Sequence, residues 1–327
     1  MRAHTLTATA CVLLLGAAAG ACSHDAPATG GNAPGLPGST TVGSNNGGAN
    51  DAGKQGDSSV SDGGHPVLDA GPLACDPTVP WVSGGRLPSL VTTTLARFGG
   101  VSGDERSLAW TAANGDIYVA DRTSAGDDFT TATKVNVGAT TLAIDRVAIA
   151  PTGKALIAVA SDRKSFVELD RTSIGGAWTL QAQDAFASIG ALLDETAGSL
   201  AEPVLGADKL TFFFVATIGN NPPTLYESRF NDVVQGWAAP AALTAADVHA
   251  TGPANRKRPT GASADRRTLY FYDEGAHLER QAWRDSPDVA FSHFADLAGF
   301  DEAAPTPSCQ TLYVQGNDGA AGVFTTQ

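Results

Sequence analysis

The amino-acid sequence predicts an all-β fold: a single five-bladed β-propeller with four-stranded antiparallel blades, its ring closed by an N-terminal strand. Three observations predict it. A turn followed by an apolar anchor recurs five times within residues 73–327. A second strand and then an aromatic residue follow each of the first four anchors at nearly fixed distances. The composition, with 37 glycines, 18 prolines and 17% charged residues in a chain of 327, favours many short strands and turns over long helices.

The five turns read Ser102-Gly-Asp104-Glu-Arg-Ser-Leu108, Ala150-Pro-Thr152-Gly-Lys-Ala-Leu156, Gly206-Ala-Asp208-Lys-Leu-Thr-Phe212, Ser263-Ala-Asp265-Arg-Arg-Thr-Leu269 and Thr306-Pro-Ser308-Cys-Gln-Thr-Leu312. The anchors lie 48, 56, 57 and 43 residues apart. An Asp, Ser or Thr at the third position suits a tight turn, because its oxygen can accept a nearby backbone N–H. The second strands are Asp116-Ile-Tyr-Val-Ala-Asp-Arg122, Ser165-Phe-Val-Glu-Leu-Asp-Arg171, Thr224-Leu-Tyr-Glu-Ser-Arg229 and the weaker His277-Leu-Glu-Arg-Gln-Ala-Trp-Arg284. Seven or eight residues past each Arg stand Phe129, Trp178, Trp237 and Phe291. Each copy therefore holds four strands, a to d: the turn joins a to b, the Arg ends c and the aromatic opens d. Such a sheet cannot bury both faces alone, so neighbouring copies must stack around an axis.

The fifth copy stops at Gly322-Val-Phe-Thr-Thr-Gln327, a strand c, and has no strand d. The segment from Trp81 to Leu90 has the form of a strand d, aromatic included, and is expected to complete the fifth blade and remove two exposed edges. Six blades is the alternative, although residues 73–327 hold no sixth turn of this kind.

The strand Asp116–Arg122 followed by Phe129, and the run Ser263-Ala-Asp-x-x-Thr-Leu-Tyr-Phe271, resemble the repeats of TolB-type, WD-repeat-like β-propellers, which abound in exported proteins of bacteria such as myxobacteria. The resemblance covers nearly all of residues 81–327. Copies two and five depart from it, with Thr152 and Ser308 in the Asp position. It implies the fold. It leaves function open, because such propellers bind proteins, glycans or peptides, or accompany enzymes.

The N-terminus reads as a lipoprotein-type signal peptide over residues 1–21. Arg2 supplies the positive end, and the apolar run from Cys11 to Ala19 is too short to span a membrane comfortably. Ala19-Gly20-Ala21 then precedes Cys22, the expected lipidation site; cleavage to a soluble secreted protein is the alternative. Cysteine arithmetic bears on the choice. Cys11 leaves with the signal peptide, and Cys75 and Cys309 form an expected disulfide clamping the ring closure, so Cys22 would be an unpaired exported thiol unless lipidated. Residues 22–72 read as a disordered tether rich in Gly, Ala, Ser, Asn and Pro, with an r.m.s. span of about 40 Å. Residues 73–327 are the propeller. The expected location is the cell envelope, with lipid anchoring in the outer membrane.

Ten or eleven residues before each anchor the chain is charged: Arg97, Asp145, Glu202, Arg258 and the pair Asp301/Glu302, with Arg146 and Lys257 alongside. These positions fall where strands a begin, at the mouth of the channel on the d–a rim. They read as a polar ligand-binding ring or, alternatively, as interblade ion pairs that keep the mouth wet. The repeated aromatics are expected to pack between blades, and Trp110, Tyr270 and Phe271 to lie in the core.

A net charge of −13 argues against nucleic acid and against direct adhesion to anionic lipid, leaving membrane contact to the lipid anchor alone. The sequence has no His-Glu-x-x-His, no Cys-x-x-Cys, no phosphate loop and no Gly-x-Ser-x-Gly elbow, so no metal, cofactor or catalytic residue is expected. The function expected is a non-catalytic binding or scaffold module, monomeric, engaging an envelope protein, a peptide or a glycan. Two alternatives are a carbohydrate-active enzyme using Asp145, Glu202 and Asp301, and a structural subunit of an envelope complex.

Overall fold

The computed structural model describes residues 75–76, 79, 81–87, 95–129, 132–138, 140–181, 185–193, 197–244, 256–297, 299–306, 308–316 and 321–326; the expected signal peptide, Cys22 and the tether lie outside them. Strand β1 (Trp81–Arg86) comes first. Strands β2 (Leu95–Val101), β3 (Ser107–Ala112), β4 (Ile117–Asp121) and β5 (Thr133–Lys134) form one sheet, and β6 (Ala148–Ile149), β7 (Ala155–Val159), β8 (Phe166–Asp170) and β9 (Thr179–Leu180) a second. After the one-turn helix α1 (Ala187–Gly190) come β10 (Gly198–Leu205), β11 (Thr211–Ile218), β12 (Thr224–Asn231) and β13 (Gly236–Trp237), with β14 (Ala241–Ala242) also paired to β12. The fourth sheet is β15 (Lys257–Ala262), β16 (Thr268–Asp273), β17 (Leu278–Trp283) and β18 (His293–Leu297). In the last, β19 (Phe300–Pro305), β20 (Thr311–Gly316) and β21 (Ala321–Thr326) are followed by β1, which runs antiparallel to β21 from Trp81↔Thr326 to Arg86↔Gly322. The arrangement is all-β and propeller-like. The first strands of the sheets adjoin one another in the order β2, β6, β10, β15, β19, and β19 adjoins β2 again.

The repeated turn explains how each sheet starts. Asp104 Oδ1 accepts the Ser102 hydroxyl at 2.7 Å, and Ser102 Oγ accepts the Ser107 N–H at 2.9 Å. Ser263, Asp265 and Thr268 repeat this arrangement, while Asp208 takes the N–H groups of Leu210 and Thr211, both at 3.0 Å. The residue after each turn former is left-handed: Glu105, Gly153, Lys209, Arg266 and Cys309 have φ between 52° and 66°. Only the second copy places glycine there, the residue that adopts this conformation without steric cost. Lys209 is exposed. Lys209→Gly should therefore leave stability unchanged or raise it by up to about 1 kcal/mol, relief of the strained backbone outweighing the larger entropy of the unfolded chain. A clear fall in melting temperature would show that the lysine side chain contributes more than its backbone costs.

The five anchors Leu108, Leu156, Phe212, Leu269 and Leu312 are each 0% exposed. The arginines that close the third strands pin the turns from the other side. Arg171 Nε donates to the carbonyl of Gly153 at 2.8 Å and Arg284 Nε to that of Arg266 at 2.9 Å, each the left-handed residue of its own sheet. Their guanidinium groups stack on the aromatics that follow, Arg122 on Phe129 at 4.4 Å, Arg171 on Trp178 and Arg284 on Phe291 at 4.5 Å. They also reach the preceding sheet: Arg171 to Asp121 at 2.7 Å, Arg284 to Glu227 at 3.0 Å, and Arg122 to the hydroxyl of Tyr313 at 2.9 Å. One side chain thus joins a turn, an aromatic and a neighbouring sheet.

Arg229 breaks the expected pattern. It stands opposite Thr211 within β12, whereas Arg122 and Arg284 come one residue after the positions opposite Ser107 and Thr268. The equivalent residue in the third sheet is Phe230, which packs edge-on against Trp237 with centroids 5.4 Å apart. Arg229 turns instead to Asp288 at 2.9 Å in the following sheet. The helix α1 had no counterpart in the sequence reading. It brings Ile189, with Phe186 just before it, against Phe166, Phe212 and Trp237, filling the apolar seam between the second and third sheets.

Candidate functional site

The charged residues at the starts of the first strands come together. Irregular register accompanies them: β-bulges fall between Leu95 and Arg97, Ala201 and Val204, Pro259 and Gly261, and Phe300 and Glu302. A bulge re-aims a side chain that a regular strand would send to a sheet face. Glu202, inside one of them, has φ of 54°, a left-handed conformation that costs a non-glycine residue free energy.

Glu302 is the centre of this hub. Its Oε2 accepts the backbone N–H of Phe98 at 2.7 Å and Arg146 Nη1 at 3.2 Å. Its Oε1 accepts Arg258 Nη1 at 3.1 Å and Arg97 Nη1 at 3.5 Å. Arg146 continues to the carbonyl of Thr260. One carboxylate on β19 thereby links β2, β15 and the segment entering β6. Glu202 pairs with Arg256 at 3.4 Å and Arg258 at 4.0 Å, and Asp145 pairs with Arg163. Asp145 Oδ1 also accepts the N–H groups of Arg146 at 2.8 Å and Glu202 at 3.1 Å. Burial works against the Glu202 charge, but Arg258, Arg256, Arg97 and Arg146 together hold its carboxyl below the usual glutamate range. Burial, then repulsion from Glu202, pushes Asp145 the other way. Among the described residues the arginines 97, 146, 163, 256 and 258 pair with the carboxylates of Asp145, Glu202, Glu274 and Glu302.

Above the hub lies a cleft of about 330 Å³, lined by Arg97, Ile144, Asp145, Arg163, Glu202 and Arg256 among others. Below it the axial space shrinks to about 40 Å³, bounded by all five first strands and the residues beside them. Glycine is required there. A Cβ on Gly99 would sit 2.5 Å from the carbonyl oxygen of Val147, and one on Gly261 would sit 2.6 Å from Pro305 Cδ. Among the described residues the hub therefore floors an open depression, and the space between the first strands beyond it holds only about 40 Å³.

Of the residues expected at the mouth, Arg97, Asp145, Glu202, Arg258 and Glu302 meet in this network; Asp301 lies on β19, and its side chain is outside the described residues. Asp145, Glu202, Arg258 and Glu302 are only 6%, 3%, 5% and 1% exposed. The accessible cations are Arg97, Arg163 and Arg256. The last two were missed: Arg163 sits in the turn between β7 and β8, and Arg256 precedes β15, outside the ten-residue spacing that singled out the rest. Glu279 was missed as well. It is wholly buried on β17 and accepts the Thr260 hydroxyl, and burial drives its carboxyl well above the usual range. A carboxyl raised on folding is stabilised in its protonated form. Its cost to stability is absent below the unfolded value near 4.5 and grows as pH rises above it. Glu279→Gln should accordingly raise the melting temperature at pH 7 and leave it little changed at pH 4; equal effects at both would mean that the carboxyl does not titrate on unfolding.

The remaining expected cysteines are joined: Cys75 and Cys309 form a disulfide with Cα atoms 5.0 Å apart, packed beside Tyr270 and Leu312.

No family model matches the sequence, and no curated protein matches it. Solved structures similar to it include a putative TolB from Agrobacterium tumefaciens, at 16% identity and a TM-score of 0.41 over 68% of this chain and 69% of that one. TolB from Acinetobacter baumannii is similar at 13% identity and a TM-score of 0.41, over 72% of this chain but only 55% of its own length. A chain of a nidogen/laminin complex is similar at 15% identity and a TM-score of 0.38, over 72% and 84%. At such scores the fold assignment rests on the chain's own sheet order.

Proposed function

We propose that this chain is a non-catalytic binding or scaffold propeller held at the cell envelope by a lipid on Cys22, with its recognition surface on the rim where the first strands begin. The five sheets are then five blades of one ring, residues 22–72 the tether, and β1 the strand that completes the fifth blade. The cyclic contacts of the first strands and the pairing of β1 with β21 support the ring. The Cys75–Cys309 disulfide supports export to an oxidising compartment. Intact-mass analysis of membrane-extracted protein tests the anchor: a chain beginning at Cys22 with acyl additions is expected, and an unmodified soluble product would remove it.

The observation that carries the binding reading is the open polar cleft above a closed axis. Its volume lies at the lower end of those that hold small ligands. Arg163 and Arg256 have 38% and 26% of their side chains exposed, yet each is held by a buried carboxylate. Cations fixed in this way are preorganised for an incoming partner. Peptide and glycan arrays probed with the mature protein test this. Binding should be lost in Arg163→Gln/Arg256→Gln, read at a temperature where the variant is folded, because each substitution removes a charged partner of a buried carboxylate and lowers the melting temperature. Binding that survives the double substitution would move recognition to the outer blade edges, as in a structural subunit.

One observation favours a second reading, a carbohydrate-active enzyme. Asp145 and Glu202 are adjacent carboxyls with affinities for protons pushed in opposite directions, the arrangement that separates acid from base in hydrolases. Turnover of a chromogenic glycoside panel, abolished by Asp145→Asn, would establish it.

A further inference from the structure

The connection from β12 to β13 differs from its counterparts in the other sheets. β12 has eight residues where β4 and β8 have five, and it turns into β13 through Asp232-Val233-Val234-Gln235, with Asn231 paired to Gly236. The corresponding stretches of the first, second and fourth sheets carry ordinary turn formers: Ser124-Ala125-Gly126, Ser173-Ile174-Gly175 and Ser286-Pro287-Asp288. Val233 is 93% exposed and Val234 66%. Their turn is braced. Asn231 Oδ1 accepts the N–H groups of both, at 2.9 and 3.4 Å, and the Gln235 amide donates to the carbonyl of Asp232 at 2.6 Å. Valine is stiff about χ1, so such a knob loses little freedom when it is covered. Leu210, 44% exposed, stands at the hairpin's base, its carbonyl accepting the Phe230 N–H at 2.9 Å. A groove of about 400 Å³ opens from the same base, between the outer strand of the third sheet and the loop before β18. Ala239, Ala241, Ala242, Val289 and Ala290 are exposed along it. Its charged groups pair with one another, Arg284 with Glu227 at 3.0 Å and Arg229 with Asp288 at 2.9 Å, so an apolar occupant strands no ion.

We propose that the protein forms a two-fold dimer in which the Val233–Val234 knob of each copy enters the groove of the other. Knob and groove adjoin on one surface, so a single rotation axis between them engages both at once, as a self-complementary contact requires. A different protein would have to bring a groove for the knob and a knob for the groove; a second copy brings both. Pro240 interrupts the outer strand between β13 and β14, which disfavours addition of a further strand along that edge and leaves side-chain packing as the mode of contact. The knob, with Leu210 beside it, lies on the rim of the repeated turns, opposite the mouth, so dimerisation leaves the recognition surface proposed above open in both copies.

Sedimentation velocity over a concentration series tests this on the mature, disulfide-bonded protein without its proposed lipid. Wild type should sediment as two chains. Val233→Asp/Val234→Asp should raise the dissociation constant about a hundredfold or more, and Ala242→Arg, which fills the groove, should do the same. Both variants change exposed side chains and should melt with wild type at a dilution where wild type is a single chain. Mixing the two variants should restore a dimer, because one knob–groove contact remains intact between them. A wild type that stays a single chain throughout would overturn the proposal. A dimer that survives both variants would place the interface elsewhere and overturn this contact. Loss of the dimer in the knob variant alone, or failure of the mixture to restore it, would overturn the reciprocal arrangement.

Discussion

Glu302→Ala should destabilise the protein by about 3–5 kcal/mol, the cost of removing one partner from a buried ion pair. The effect is large because of what it leaves behind. Glu302 takes hydrogen bonds from Arg97, Arg146 and Arg258 and from the Phe98 backbone. Arg146 is 1% exposed and Arg258 5%, so neither guanidinium can turn to water when the carboxylate goes. Glu302→Gln keeps an acceptor for the Phe98 N–H and should lose less. Lys134→Ala is the contrast: its pair with Asp116 is shorter than any of these ion pairs, at 2.8 Å, but the lysine side chain is 58% exposed, and solvent screening should leave the melting temperature unchanged. Chemical denaturation of the three variants reads the difference directly. If Glu302→Ala melts with wild type, the hub is not an electrostatic keystone and its arginines are hydrated.

The second large effect is expected at the disulfide. Cys75 and Cys309 are separated by 234 residues, so the bond closes almost the whole propeller into a loop. The chain-entropy relation gives about 5 kcal/mol for a loop of that length, an upper bound that neglects structure in the unfolded chain. Both residues are buried, at 2% and 5% exposure, so a reductant added to the folded protein meets a shielded bond. Cys75→Ala/Cys309→Ala is therefore the informative variant, and it should melt well below wild type. Equal melting temperatures would mean that strand pairing alone holds the first and last segments together.

Much of this architecture is written locally in the chain. A turn former and an apolar anchor at fixed spacing are short-range signals, and all five anchors proved fully buried. The charged positions ahead of them were legible for the same reason. What the sequence hid is long-range. Arg163, Arg256 and Glu279 join the hub because different sheets converge on one axis, and no spacing along the chain encodes that meeting. Phe230 is a different case, because its signal was present. The interval from Arg229 to Trp237 is eight residues, whereas Arg122, Arg171 and Arg284 stand seven before their aromatics; taking Phe230 restores seven. Short β13 and the inserted α1 answer to the packing of Phe186 and Ile189 between two sheets, which composition does not reveal.

A closed ring requires the N-terminal strand to sit in the last blade, and backbone amide exchange measures that most directly. With β1 paired to β21 from Trp81 to Arg86, its inward amides are hydrogen-bonded. In hydrogen–deuterium exchange on the mature protein, peptides covering 81–86 and 321–326 should be protected together, and should lose protection together only when the whole domain unfolds. Rapid exchange of 81–86 beside a protected 311–316 would contradict the closed five-bladed ring.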